Sequence, residues 1–334
     1  MTAIWIGLIN SLDTVQTETD SPSRILAHRG ALMTLSDRPR FPGRPARMAF
    51  VFPGGGSLTA SQVGMLWALN EAGLMPDLVI GSSAGALNAV AFASDPSPVG
   101  LEHLEAMWVA LRRRHVAPLT LRTLITAATG RRDALVPDTG LRDLLDNFGV
   151  VRTLSETTVA AHVVATDLGS GQAVVLSEGE SVPALLASCA LPGLYQPVRV
   201  GPQLLVDGGV SADVPVLQAE ALGATVTYVL PAADLDIQSL PRGPLPLAHH
   251  ALRHLLASVA RRDIAAAQGT VNILPAPHSR AGNPVDFRDT ARLIDDGYRL
   301  ATEWLADHML PAGIPARPGV SRADLPTARF VDAS

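Results

Sequence analysis

Two short segments of this 334-residue chain carry residue types suited to acyl transfer. Gly81-Ser82-Ser83-Ala84-Gly85 has the G-x-S-x-G spacing, in which a serine rides a sharp strand-to-helix turn. Small residues flank such a serine because the strained turn brings strand and helix too close for larger side chains. Its hydroxyl then stands at a helix N-terminus, where the dipole favours developing negative charge. Gly54-Gly55-Gly56 follows the preceding apolar run, and consecutive glycines leave backbone N–H groups able to face an oxyanion. Two rival uses of that triplet fail. A phosphate-binding loop needs a lysine after its last glycine, and all 26 basic residues are arginine. A dinucleotide fingerprint needs a glycine where Thr59 stands.

A partner for the serine is less plainly marked. Leu204-Leu205-Val206-Asp207-Gly208-Gly209 puts an aspartate at the end of a buried-strand pattern. Asp-Gly is a common turn pair, yet the same residue could be a base displayed at a strand end. Read alone, the local pattern favours the turn.

Taken in chain order, five segments resemble the patatin-like phospholipase family: Pro53–Gly56, Gly81–Gly85, Ala165-Thr166-Asp167-Leu168 with Gly169 and Gly171, Ala187-Ser188-Cys189-Ala190-Leu191-Pro192-Gly193, and Asp207–Gly209. The likeness runs from about Met48 to Leu230. It implies an α/β fold with a mostly parallel central sheet sandwiched by helices in three layers. It also implies hydrolysis of lipid acyl esters by Ser83, with Asp207 rather than a histidine as its base. Gly54, Gly55 and Gly56 would form the oxyanion hole, and Gly81, Gly85, Gly208 and Gly209 would support the elbow and the dyad loop. The chain departs from the family where a basic residue and a glycine are usual and Leu58 and Thr59 stand instead. That departure bears on phospholipase efficiency rather than on reaction class.

The elements that must position these residues follow from periodicity. Met48–Phe52 and Asp77–Ile80 are short apolar runs of buried-strand type. Val63, Leu66 and Leu69 mark a helix stopped by Gly73, and Ala84–Ala93 marks a second. Strand-loop-helix order of this kind implies parallel strands covered by helices. Further strands are expected at Ala161–Ala165, Ala173–Leu176, Leu204–Val206, Thr225–Leu230 and Val271–Leu274. Further helices are expected at Leu101–Arg113, Leu141–Phe148, Leu247–Gln268 and Arg288–Leu305. The Pro231–Pro246 stretch reads as a surface loop, and Pro118–Asp133 as a candidate lid. Residues 1–45 read as a poorly ordered extension, 46–310 as one acyl hydrolase domain and 311–334 as a tail.

Composition narrows the alternatives. A net charge of −5 offers no basic field for nucleic acid. The single Cys189 precludes an internal disulfide or a cysteine metal cluster, and it reads as a small buried hydrophobe. No cofactor or metal is expected; His249, His250 and His254 lack a carboxylate ligand nearby. Asp167 and Asp213 read as turn or helix caps. Arg112-Arg113-Arg114-His115 suits a helix C-terminus. The expected partners are a lipid or ester substrate and, transiently, a membrane or micelle surface; self-association is left open. A cytoplasmic protein, peripheral at most, is expected from a short N-terminal apolar run without a leader pattern. Two other readings fit the residues: a Ser83–Asp234–His278 triad, and a lipid-binding module without catalysis.

Overall fold

The computed structural model describes residues 47–116, 136, 139–235, 243–279 and 285–309. The expected extension, lid and C-terminal tail lie outside the described residues. Strand β1 (Met48–Phe52) alternates its burial between two faces: Phe50 and Phe52 join one apolar cluster, Ala49 and Val51 the other. A strand buried on both sides reads as a continuous apolar run, as this one does. Following hydrogen-bonded neighbours, the sheet runs β5-β6-β3-β2-β1-β7-β9, with β4 also paired to β3. Here β2 is Leu78–Ser82, β3 Ala160–Asp167, β4 Ala173–Leu176, β5 Val198–Val200, β6 Gln203–Asp207, β7 Val226–Val229 and β9 Thr270–Ile273.

The strands β3, β2, β1, β7 and β9 are mutually parallel, whereas β4 and β6 pair antiparallel to β3, and β5 antiparallel to β6. Helices α1 (Ala60–Glu71), α2 (Ala84–Ser94), α3 (Pro98–Ala110) and α10 (Thr290–Met309) pack with the Phe50 face. Short α7 (Gly209–Ala212), α8 (Val216–Ala221) and α9 (Pro244–Ala266) pack with the Val51 face. The result is a three-layer α/β fold with a mostly parallel sheet, as the sequence implies. The strands and helices expected from periodicity are present, with ends shifted by a few residues. After α4 (Arg113–Val116) and α5 (Thr139–Asn147), elements beyond the expected alternation include the antiparallel flank, α7, α8 and helix α6 (Ser181–Ser188), which has Pro183 in its first turn. Proline is tolerated there because its missing N–H has no helical partner to lose. The Pro231–Pro246 loop is shorter than expected, because Asp234–Leu235 forms strand β8 and α9 starts at Pro244.

One register constraint sets up everything that follows. Strand β2 pairs with Ala160–Val164 of β3, and β6 pairs with Ala165–Asp167. Strand β4 pairs with Val163–Thr166 and so overlaps both, which leaves β2 and β6 sharing the opposite edge. Along that edge β2 and β6 run towards each other and stop end to end.

Helices α1 and α10 cross at near backbone contact. A Cβ on Gly64 would lie 1.9 Å from the Ile294 carbonyl oxygen, and one on Gly297 would lie 2.2 Å from that of Ser61. In an isolated helix Gly→Ala stabilises by ~1 kcal/mol. At this crossing the sign reverses. Gly64→Ala is expected to destabilise the protein by about 1–3 kcal/mol, the usual range for overpacking. Urea unfolding followed by circular dichroism checks this, and an unchanged or higher midpoint contradicts the crossing.

Candidate active site

Ser83 follows the last residue of β2 and precedes the first residue of α2. Its φ of 52° and ψ of −134° make it the single non-glycine residue with positive φ among the described residues. Such backbone conformations cost about 1–3 kcal/mol and persist only where the surroundings enforce them. The surroundings do so here. A Cβ on Gly85 would lie 2.3 Å from the carbonyl oxygens of Phe52 and Pro53, and one on Gly81 would lie 2.6 Å from the Ala86 Cα. Strand β1, strand β2 and helix α2 therefore meet at distances open only to glycine.

A serine before a helix usually turns its hydroxyl back to cap the first turn. Ser83 makes no such bond. Its Oγ donates instead to Asp207 Oδ2 at 2.6 Å. Asp207 ends β6, and the end-to-end arrangement on β3 accounts for the meeting: Ser82 stands beside Val164 and Asp207 beside Ala165. Gly208 lets the chain turn away at this junction, since a Cβ there would lie 2.2 Å from the Val164 carbonyl oxygen.

Asp207 is 3% exposed. Its Oδ1 accepts the Gly209 N–H at 2.8 Å. Burial pushes its pKa up to about 7, against the opposing hydrogen bonds from Ser83 and Gly209, and the nearby Asp213 carboxylate adds to the rise.

Two polar residues that sequence reasoning passed over brace the pair. Ser188 Oγ accepts the Ser83 N–H at 2.9 Å and donates to the Val164 carbonyl at 2.6 Å. The Ser188 and Ala190 carbonyls accept the N–H groups of Gly208 and Asp207. Thr166 Oγ1 donates to the Asp207 carbonyl at 2.8 Å. Both residues lie in the Ala-Thr-Asp-Leu and Ala-Ser-Cys-Ala segments, so the signal was present without its meaning. Within the same segments, Asp167 caps its turn by accepting the N–H groups of Gly169 and Ser170. Cys189 is buried, and its thiol is pushed well up by burial first and Asp207 second.

The glycine loop leaves β1 beside the serine. Gly55 and Gly56 take positive φ values of 151° and 59°. Of the three N–H groups expected to face an oxyanion, that of Gly54 already donates to Asp213 Oδ1 at 3.2 Å. Asp213 stands at the C-cap of α7, as expected of it, and its carboxylate also reaches the loop. The loop is framed from behind by a buried polar network. Gln62 Nε2 donates to the Pro53 and Leu230 carbonyls. Asn88 Nδ2 donates to the Thr59 carbonyl and to Gln62 Oε1, and Trp108 Nε1 donates to Asn88 Oδ1. Polar residues inside apolar helix faces were the overlooked sign of this network. Leu58 is buried in the core, and Thr59 Oγ1 donates to the Gly56 carbonyl at 2.8 Å. The two unusual residues thus hold the loop by packing and a hydroxyl.

Other candidates lie elsewhere. Asp234 and His278 pair through their backbones in a separate two-stranded ribbon, β8 with β10 (His278–Ser279), and neither side chain hydrogen-bonds Ser83 among the described residues. His250 and His254 approach with their Nε2 atoms 3.0 Å apart, yet no group of three or more potential metal ligands occurs among the described residues. Arg112 donates to the Val109 and Leu111 carbonyls at the end of α3.

Comparison with known proteins covers this same region. An uncharacterised NTE family protein of Mycobacterium tuberculosis is 34% identical over 175 residues, which is 50% of this chain and 27% of that protein. Patatin-like phospholipase domain-containing protein 7 of Rattus norvegicus is 27% identical over 192 residues, 57% of this chain and 14% of that protein. The chain thus matches about a quarter of the length of the first relative and about a seventh of the second. The crystal structure of VipD from Legionella pneumophila aligns with a TM-score of 0.39 and 14% identity, over 79% of this chain and 67% of that one. The family model for patatin-like phospholipase matches residues 50–220, from the strand before the glycine loop into helix α8. That span takes in Ser83, Asp207 and the residues that brace them, and the chain belongs to the patatin-like phospholipase family.

Proposed function

We propose that residues 46–310 form a serine acyl hydrolase domain that cleaves lipid esters through Ser83 and Asp207 by way of an acyl-enzyme. The observation that carries this reading is the 2.6 Å hydrogen bond between a strained serine at the head of α2 and a buried carboxylate. The family assignment supports a lipid hydrolase more broadly. Exposed apolar side chains on the segments flanking the pair, Leu168, Leu191 and Val210, suit an acyl chain better than a polar ester.

In the proposed reaction, the Asp207 carboxylate takes the Ser83 proton as Oγ attacks the ester carbonyl carbon. The carbonyl oxygen becomes an oxyanion facing the Gly55 and Gly56 N–H groups, with the N-terminus of α2 adding its dipole. Collapse breaks the ester bond, and the alcohol leaves with the proton held by Asp207. Water then attacks the acyl-serine and gives its proton to Asp207, and Ser83 Oγ departs and is reprotonated as the fatty acid is released. An ordinary aspartate, with pKa ~3.9, is a weak base for an alcohol. Burial that lifts Asp207 to about 7 brings it into the range that suits a general base near neutral pH. A lipid substrate implies transient contact with a membrane or micelle surface, and no described helix is long and apolar enough to cross a membrane.

The test uses p-nitrophenyl esters of graded chain length together with a fluorophosphonate probe. Wild type is expected to hydrolyse the esters and to be labelled at Ser83. Ser83→Ala should lose both, with kcat down by ~10⁴-fold or more. Asp207→Asn should lose about 10²–10⁴-fold in kcat while keeping the near-ultraviolet circular dichroism of the fold. Full activity in Asp207→Asn would sink the pair, and a folded wild type that neither cleaves nor labels would point to lipid binding without catalysis. A separate prediction concerns pH. Because the carboxylate is the active form and its pKa is raised to about 7, kcat/KM should climb with pH through an acid limb centred near 7. A limb near 4 would contradict the buried base.

A further inference from the structure

Asp213 is a second carboxylate at the same site, and the reaction just proposed does not use it. It is partly buried, and burial pushes its pKa up to about 6, opposed by its hydrogen bond from Gly54 N–H. Two glycines show where it stands. A Cβ on Gly54 would lie 2.8 Å from Asp213 Oδ1 and 2.9 Å from Ser83 Cβ. A Cβ on Gly209 would lie 3.1 Å from Asp207 Oδ1 and 3.2 Å from Asp213 Oδ1. The Asp213 carboxylate therefore touches the loop at Gly54 and borders the Ser83–Asp207 pair, with Gly54 between it and Ser83 and Gly209 between it and Asp207.

We propose that Asp213 is a positioning residue of the active site, which holds the glycine loop through Gly54 N–H and acts on Asp207 as a neighbouring charge. The inference rests on the function proposed above and deepens it. An ionised carboxylate accepting a backbone N–H makes a stronger tether than a neutral acceptor. With Gly54 fixed, the next two residues of the loop present their N–H groups from a defined place. The same charge disfavours a second negative charge nearby, so Asp207 holds its proton to higher pH than burial alone would set. Among the described residues, Asp207 is influenced by Ser83, Gly209 and Asp213, and Asp213 by Gly54; Cys189 is the further titratable group that Asp207 reaches.

Two variants separate the roles. Asp213→Asn keeps an oxygen acceptor for Gly54 N–H and removes the charge; Asp213→Ala removes both. Asp213→Ala is expected to lower kcat by about 10–100-fold, the loss typical of a misplaced catalytic group, with KM little changed. Asp213→Asn should recover most of that kcat, with the acid limb of kcat/KM moved to lower pH. A purely structural residue would not move the limb. A second readout needs no activity: NMR of protein labelled with 15N-glycine and 13Cγ-aspartate. In wild type the Gly54 amide should titrate with Asp213, and in folded Asp213→Asn that titration should vanish while the Asp207 midpoint falls. A Gly54 amide indifferent to pH, or an Asp207 midpoint unmoved in Asp213→Asn, would overturn the inference. If wild type shows the coupled titration but cleaves no ester, the proposed function fails and the coupling stands.

Discussion

The site depends on one strand edge. Strand β3 offers the same edge to β2 over Ala160–Val164 and to β6 over Ala165–Asp167, so strands of opposite direction end against each other. Backbone hydrogen bonds of a ladder fix residue positions to a fraction of an ångström, more tightly than loops can. Ser83 and Asp207 are 124 residues apart in sequence and 2.6 Å apart in space because each follows or ends a strand registered on β3. The helix that returns the chain to this point, α6, adds Ser188, whose hydroxyl joins the Ser83 N–H to the Val164 carbonyl. That bridge ties the strained serine to the very strand that sets the register.

The glycine loop has a different kind of support. It has no ladder of its own, so its carbonyls are taken up by buried amides: Pro53 by Gln62, Thr59 by Asn88. Both amides are fully buried, and an unmet polar group there would cost about 1–3 kcal/mol. The network escapes that penalty because each member finds a partner, through to Trp108. Side chains on α1, α2 and α3 thereby bear on the loop, which links helix packing to the geometry of the site. The close crossing of α1 and α10 at Gly64 and Gly297 belongs to the same chain of constraint, since α1 carries Gln62.

Much of the fold was legible in the sequence, and the reasons are local. Apolar runs such as Met48–Phe52 are short, bounded and buried on both faces, so strand and helix alternation could be read directly. Ser83 was legible because its turn demands a glycine on both sides. Asp207 was not, since Asp-Gly-Gly describes a turn equally well; its neighbour depends on β6 being antiparallel, and Leu204-Leu205-Val206 reads alike in either direction. The resemblance to a family supplied what the pattern could not. Ser188, Thr166 and Asp213 were hidden for a related reason. Short polar side chains acquire meaning from what lies across the fold, and Asp213 is 159 residues from the loop it holds.

The proposed dyad without histidine would ask more of its surroundings than a triad does. Imidazole titrates near neutrality unaided, whereas a carboxylate must be lifted by about three units to serve there, an energetic change of ~4 kcal/mol between its charged and neutral forms. Burial is the largest contribution here, and it works against the hydrogen bonds from Ser83 and Gly209 that favour the charged form. Those same bonds cannot be given up, because they aim the carboxylate at the serine. A second, partly buried carboxylate offers a way to raise the first without disturbing its geometry, provided that it has a donor of its own. The loop supplies that donor from Gly54. On this reading the loop N–H withdrawn from the oxyanion is what keeps Asp213 charged, and the tuning of the base and the placement of the loop are two consequences of one hydrogen bond.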